Sequence, residues 1–177
     1  MNAITFSATM PRRRTLADEI ILVLLGAAAV AVSAQVKFPL WPVPITLQTF
    51  AVLLVAALLG SARGSASILT YLVAGSAAPV LFANPAGLPG PTGGYLIGFA
   101  VAAFVVGTLF ARGWGRSRAA MLPALIIGTA IIFAVGLPWL MMFVPASAVL
   151  NVGLWPFLPG AALKIALAGV VLTRLNR

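Results

Sequence analysis

The chain has 177 residues, 62% of them hydrophobic and 7% charged, with a mean hydropathy of +1.14. A soluble domain carries about 25% charged residues, so the expectation is one integral membrane domain over residues 1–177 and no separate soluble one. With no cysteine, no histidine and only two acidic residues, Asp18 and Glu19, disulfides, metal sites and acid–base catalysis have little to build on.

Apolar runs of about 18 residues or more read as membrane-spanning helices. Residues 1–18 are a basic N-terminal segment, expected in the cytoplasm. The first apolar run, about 19–36, carries the stripe Ala27-x-x-x-Ala31 on one helical face. Small residues at this spacing suit close helix packing, or a docking groove for another membrane subunit. Arg12, Arg13 and Arg14 ahead of the run, with "VSA" before Gln35, also fit a signal peptide with a small-residue cleavage site. Asp18 and Glu19 fit that pattern poorly, and the run is read as a retained first span.

After the join "KFPLWPVP", a short second run, about 46–60, opens with Thr46, Gln48 and Thr49. A third, about 65–83, ends before Asn84. The loop "NPAGLPGPTGG" leads into a fourth, about 94–111, opened by Thr92, Gly93 and Tyr95. Gly94 and Gly98 there let helix backbones approach closely, and the lysine of a phosphate-binding loop is missing. "RGWGRSR" separates a fifth run, about 119–137. Segment 138–155 is apolar but holds Pro138, Pro145 and Asn151. It is expected as the end of span five plus an irregular or re-entrant connection, the alternative being a short seventh helix. The last run, about 157–174, contains Lys164. The predicted fold class is therefore an all-α membrane protein with six spans.

Charge orients it. With the N-terminus in the cytoplasm, inner segments hold Arg12, Arg13, Arg14, Arg63, Arg112, Arg116, Arg118, Arg174 and Arg177, and outer loops hold only Lys37. That positive-inside pattern predicts an even number of spans with both termini cytoplasmic. The net charge of +9 is thus a topology signal. Nucleic-acid binding would need basic residues gathered on one soluble face.

Lys164 is the basic residue that topology does not explain. It lies roughly 10 Å down the sixth span from the outer end, at 1.5 Å per residue. A lysine there either snorkels to the interface or faces a cavity and meets an anionic ligand. The two acids sit at the opposite face of the membrane, so a substrate carboxylate is a plausible partner. Ser33, Gln35, Thr46, Gln48, Thr49, Asn84, Thr92 and Tyr95 gather at the same outer depth. Singly, each reads as a cap or an interhelical bond. Together with Lys164 they suggest a pocket, where the Gln48 amide suits an amide- or urea-like ligand. Trp41, Trp139 and Trp155 flank outer segments as an aromatic belt, or as one wall of that pocket.

Three stretches, "VPITLQTFAVLLVAALLGSARGSAS", "GPTGGYLIGF" and "PFLPGAALKIALAG", resemble in order and spacing three signature regions of the BioY family. Those proteins are the biotin-binding S components of energy-coupling factor (ECF) vitamin transporters. The resemblance covers about residues 35–170. It implies six helices, a multi-pass place in the plasma membrane and a biotin site near the outer face. It also implies a transmembrane coupling protein and two ATPases that consume ATP, with no cofactor bound by the chain itself. A homo-oligomer is implied if the chain acts without that module.

Lys164 matches the lysine of the family's P-G-D-L-L-K motif, and Asn84 matches a polar loop residue at the bicyclic ring. Gln48, Thr92, Gly93, Gly94 and Tyr95 match positions lining or shaping the pocket. Ala27 and Ala31 match the family's docking stripe. Two departures stand out: Ala161 replaces the motif's aspartate, and Thr129 stands where the family usually has Asn. The lost carboxylate is expected to weaken recognition of ureido N–H groups by about ten- to a hundred-fold, at about 1.5–3 kcal/mol per charge-assisted bond. The alternatives are an S component for another small carboxylate-bearing vitamin or precursor, and a ligand-free structural membrane protein. An intramembrane enzyme would have to rely on Ser33 and Lys164, with no motif behind them.

Overall fold

A computed structural model describes residues 15–175. Arg12, Arg13, Arg14 and Arg177, and most of the expected cytoplasmic segment 1–18, lie outside the described residues.

Helix α1, Leu16–Gln35, starts from a capping box. The Thr15 hydroxyl accepts from the Asp18 N–H at 3.2 Å, and the Asp18 carboxylate accepts from the Thr15 N–H at 2.8 Å. This satisfies two N–H groups that a helix start leaves unpaired, and puts negative charge on the positive end of the dipole. Glu19, the next acid, takes two hydrogen bonds from Arg63, with Nη2 to Oε1 at 2.6 Å. The two acids therefore begin α1 and tie it to the next helix.

Two short strands follow, β1 (Lys37–Phe38) and β2 (Ile45–Thr46). They pair antiparallel with Lys37 opposite Thr46. Lys37 Nζ also donates to the Ala83 carbonyl at 2.8 Å, which ties the hairpin to the chain after α2.

Helix α2, Gln48–Ala77, is interrupted at Gly60, where φ is 77° and ψ is −177°. That combination is essentially confined to glycine. Residues 23 positions apart on a straight helix would stand about 34 Å apart. Here Gln48 Nε2 donates to the Tyr71 hydroxyl at 2.8 Å. A Cβ placed on Gly64 would lie 3.1 Å from the Ala56 backbone. The chain thus folds back at Gly60 into two antiparallel arms, 48–59 and 61–77.

Helix α3 is Gly93–Ala111 and α4 is Arg118–Leu140, capped by Ser117. Their close approach is a glycine effect: a Cβ on Gly94 would lie 2.3 Å from Trp139 Cβ, and one on Gly98 would lie 3.0 Å from Ile132 Cα. At the far end of α3, a Cβ on Gly107 would sit 2.4 Å from Ser61 N. The Gly60 turn, the start of α1 and the end of α3 therefore share one end of the bundle.

Segment 138–155 is more ordered than its prolines suggest. It begins as the last turn of α4, which contains Pro138 and runs to Leu140. It continues through the five-residue helix α5, Val149–Gly153, and a 3₁₀ turn at Trp155–Phe157. Helix α6, Leu158–Leu175, closes the fold against α2 and α4.

Five helical stretches among the described residues are long and apolar enough to cross a membrane: α1, α2, α3, α4 and the run Val149–Leu175. The core lies where α1 to α4 meet, around Val30, Val52, Ile68, Ala102, Val106 and Leu125, all fully buried. Large apolar side chains such as Leu25, Val73, Phe104 and Leu163 are exposed on the outside of the bundle, as a lipid environment requires.

Candidate functional site

A cavity lies at the bundle end opposite the Gly60 turn. It is framed by β2, the start of α2, the chain around residues 82–84, the first turns of α3, and side chains from α4 and α6. Thr46, Gln48, Asn84, Thr92, Tyr95 and Lys164, six residues expected at a site from sequence, all line it. Thr49 joins them. The seventh expected residue, Gly93, lies outside the lining. A Cβ on it would lie 2.0 Å from the Leu88 carbonyl oxygen, so it lets the 87–92 turn close on the start of α3.

Lys164 is half-buried and reaches across from α6 to donate to the Thr46 carbonyl of β2. The described acids, Asp18 and Glu19, belong to the other end of the bundle. The ammonium is thus held by a neutral carbonyl, which leaves its charge uncompensated in a largely apolar setting. An anionic group entering the cavity meets a cation with no rival carboxylate.

Gln48 is 3% exposed and bonded on several sides. Its Nε2 donates to Tyr71, its Oε1 accepts from the Thr46 hydroxyl at 3.3 Å, and its N–H donates to the same hydroxyl at 3.2 Å. The interhelical bond and the place in the cavity wall, alternatives in the sequence, are both present. Thr49 differs: its Oγ1 is buried and has no hydrogen-bond partner among the described residues. An unpaired buried hydroxyl costs about 1–3 kcal/mol, which a ligand atom in the cavity would recover. Asn84 uses Oδ1 to accept from the Ala86 N–H at 3.0 Å, and its Nδ2 has no bond among the described residues. The Tyr95 hydroxyl donates to the Gly153 carbonyl at 2.9 Å, fixing α5 beside α3.

The rest of the lining is apolar and aromatic: Phe82, Phe99, Phe133, Phe157 and Ile132 stand with Tyr95. Tyr95, Phe133 and Phe157 contact one another at centroid distances of 6.2–6.5 Å. The sequence reading missed these phenylalanines, because Phe in an apolar run carries no mark of which side it faces. The outer tryptophans do not line the cavity. Trp41 is 81% exposed, Trp155 is exposed, and Trp139 donates Nε1–H to the Gly90 carbonyl at 3.0 Å. Ser33 spends its hydroxyl on the Val30 carbonyl at 2.7 Å, and Gln35 bonds the Val80 carbonyl at 3.2 Å.

Ala27 is 8% exposed and belongs to the core, with Ala31 half-buried against it. Ala27 therefore packs in the core with Ala31 at its edge, and Ile21, Leu24, Leu25 and Val32 are exposed on that helix. Ala161 and Thr129, the two positions that depart from the family pattern, line one shared apolar groove between α4 and α6. Phe133 lines both this groove and the cavity. Position 161 thus stands one side chain away from the cavity.

One cation, a free hydroxyl, amide donors and aromatic walls suit a small, mostly apolar molecule with a carboxylate at one end and a polar group at the other. Comparisons agree with that chemistry. A probable biotin transporter BioY of Pyrococcus horikoshii is 36% identical over 164 residues, covering 90% of this chain and 97% of its own. The biotin transporter BioY of Thermotoga maritima is 37% identical over 155 residues, covering 85% and 90%. The crystal structure of an S-component for biotin from an ECF-type ABC transporter superposes with a TM-score of 0.78 at 26% identity, over 92% of this chain and 94% of that one. The sequence matches the BioY family from residue 6 to residue 177, and the chain belongs to that family.

Proposed function

We propose that this chain is a biotin-binding S component of an ECF-type transporter, a multi-pass protein of the plasma membrane that takes up biotin. The observation that carries this reading is Lys164, which opens from α6 into the same cavity as Gln48, Thr49 and Asn84 with no carboxylate of its own. The biotin carboxylate pairs with Lys164. The ring system lies against the phenylalanines, and its ureido group bonds to the amides and to Thr49. Gly93 shapes this site and Thr46 and Thr92 line its rim.

Six crossings with both termini in the cytoplasm fit the geometry. The Glu19–Arg63 pair and the Gly107–Ser61 contact gather arginine-bearing turns at one end, and the cavity opens at the other. The first arm of α2 is short, about 18 Å at 1.5 Å per residue. A transmembrane coupling protein docks on the exposed face of α1 around Ala31, since core packing has taken Ala27. Two ATPase subunits spend ATP to release biotin inside. In this reading the chain itself holds no cofactor and carries biotin unchanged; the Ser33 hydroxyl donates to the Val30 carbonyl.

A second reading is favoured by Ala161 and Thr129. Apolar packing beside the ring end of the cavity, with Lys164 kept, suits another small carboxylate-bearing vitamin or precursor. Uptake by cells unable to make biotin, expressing this chain with and without a coupling module, tests the first reading. Module-dependent uptake is expected. A binding panel of biotin, its biosynthetic precursors and other vitamins separates the two, and preference for a compound other than biotin would overturn the first.

A further inference from the structure

Helices α4 and α6 enclose a second groove at the end of the bundle away from the cavity. Arg118 is the first residue of α4 and Arg174 is the last but one of α6. Both line this groove, together with Met121, Leu122, Gly169 and Val170. The missing side chain of Gly169 keeps the slot open, since a Cβ there would lie 3.0 Å from Leu122 Cδ2. Both guanidinium groups are exposed, and neither has an ion pair or hydrogen bond among the described residues. The start of α4 adds the partial positive charge of a helix N-terminus beside Arg118.

Two unpaired cations at helix ends, continuous with an apolar slot along the helices, match one kind of molecule. It has an anionic head at the membrane–water boundary and a hydrocarbon tail below it. Arginine forks bind phosphate oxygens in pairs, and basic pockets between spanning helices are suited to acidic headgroups. We propose that this groove holds one anionic phospholipid, its phosphate on Arg118 and Arg174 and an acyl chain against Gly169, Leu122 and Val170. Placing it in the cytoplasmic leaflet rests on the topology proposed above. The groove itself does not, and neither does the test, which uses no biotin.

The full chain is reconstituted in nanodiscs of phosphatidylcholine and phosphatidylglycerol at 4:1, then released into mild detergent, and retained lipids are counted by native mass spectrometry. Wild type is expected to keep phosphatidylglycerol in preference to phosphatidylcholine. In R118Q/R174Q that preference falls at least about tenfold, the worth of a charge-assisted bond to a phosphate oxygen. R112Q/R116Q removes equal charge from the same end and keeps the preference. Gly169→Val fills the slot against the flexible end of Leu122 and lowers retention with both arginines intact. Equal losses in the two double variants would overturn the proposal in favour of diffuse charge attraction. So would unchanged retention in R118Q/R174Q, or displacement of the lipid by millimolar glycerol phosphate, which has no tail.

Discussion

Gln48 Nε2 donates to the Tyr71 hydroxyl at 2.8 Å, joining two residues 23 positions apart across the turn at Gly60. Tyr71 in turn donates to the Leu81 carbonyl at 3.4 Å, so one amide links both arms of α2 to the chain that borders the cavity. This explains an amide among leucines. It closes the helical hairpin and leaves a polar wall on the cavity.

Gln48→Ala is therefore expected to lower both stability and biotin affinity. Removing the amide leaves the buried Tyr71 hydroxyl with only its longer bond, a loss of about 1–3 kcal/mol. Tyr71→Phe removes the same bond while keeping the amide in the cavity wall, so it costs stability with little change in affinity. Thermal unfolding and biotin binding on both variants check this. Unchanged biotin affinity in Gln48→Ala would reduce the residue to a hairpin tie.

Thr49 makes the reverse prediction. Its buried hydroxyl has no partner among the described residues. Thr49→Val keeps the shape and removes an unsatisfied group, so the empty protein is expected to melt at the same temperature or higher. Biotin affinity should fall by about five- to tenfold, the worth of one neutral hydrogen bond of about 1 kcal/mol. Lower stability without loss of affinity would show that Thr49 faces protein alone.

Gly60→Ala tests the fold. No atom lies within 4 Å of a Cβ at that position, so any cost comes from the backbone at φ 77°. Forcing an L-residue there costs about 1–3 kcal/mol. The variant should melt earlier, yet bind biotin normally once folded, because Gly60 lies at the other end of the bundle. Unchanged melting would mean that the α2 turn does not depend on glycine.

Much of this arrangement was legible in the sequence. The runs near 94–111, 119–137 and 157–174 match α3, α4 and α6 within a few residues, because a helix buried in lipid needs an unbroken apolar run. Most of the polar residues at the outer ends share one cavity for a similar reason, Ser33 and Gln35 excepted. Charged and hydrogen-bonding groups are costly in an apolar bundle unless they share a site. What stayed hidden was tertiary. Glu19 and Arg63 pair across 44 residues with no local pattern to announce it. The β1–β2 pairing is two residues long, too short for an alternating pattern, and prolines lie beside it. The capping box of Thr15 and Asp18 is readable from its spacing. Ala27 and Ala31 carried spacing without direction, and only the fold shows that Ala27 is buried and Ala31 half-buried.

The central claim is that Lys164 receives the carboxylate of biotin. Equilibrium binding of labelled biotin to the purified chain in nanodiscs tests it, with wild type and Lys164→Ala compared and a biotin amide lacking the carboxylate as competitor. The account predicts that wild type binds, that Lys164→Ala binds about ten- to a hundred-fold more weakly, from the loss of one charge-assisted bond of about 1.5–3 kcal/mol, and that the neutral amide competes poorly. Equal affinity in wild type and Lys164→Ala, or equal competition by biotin and its amide, would contradict it.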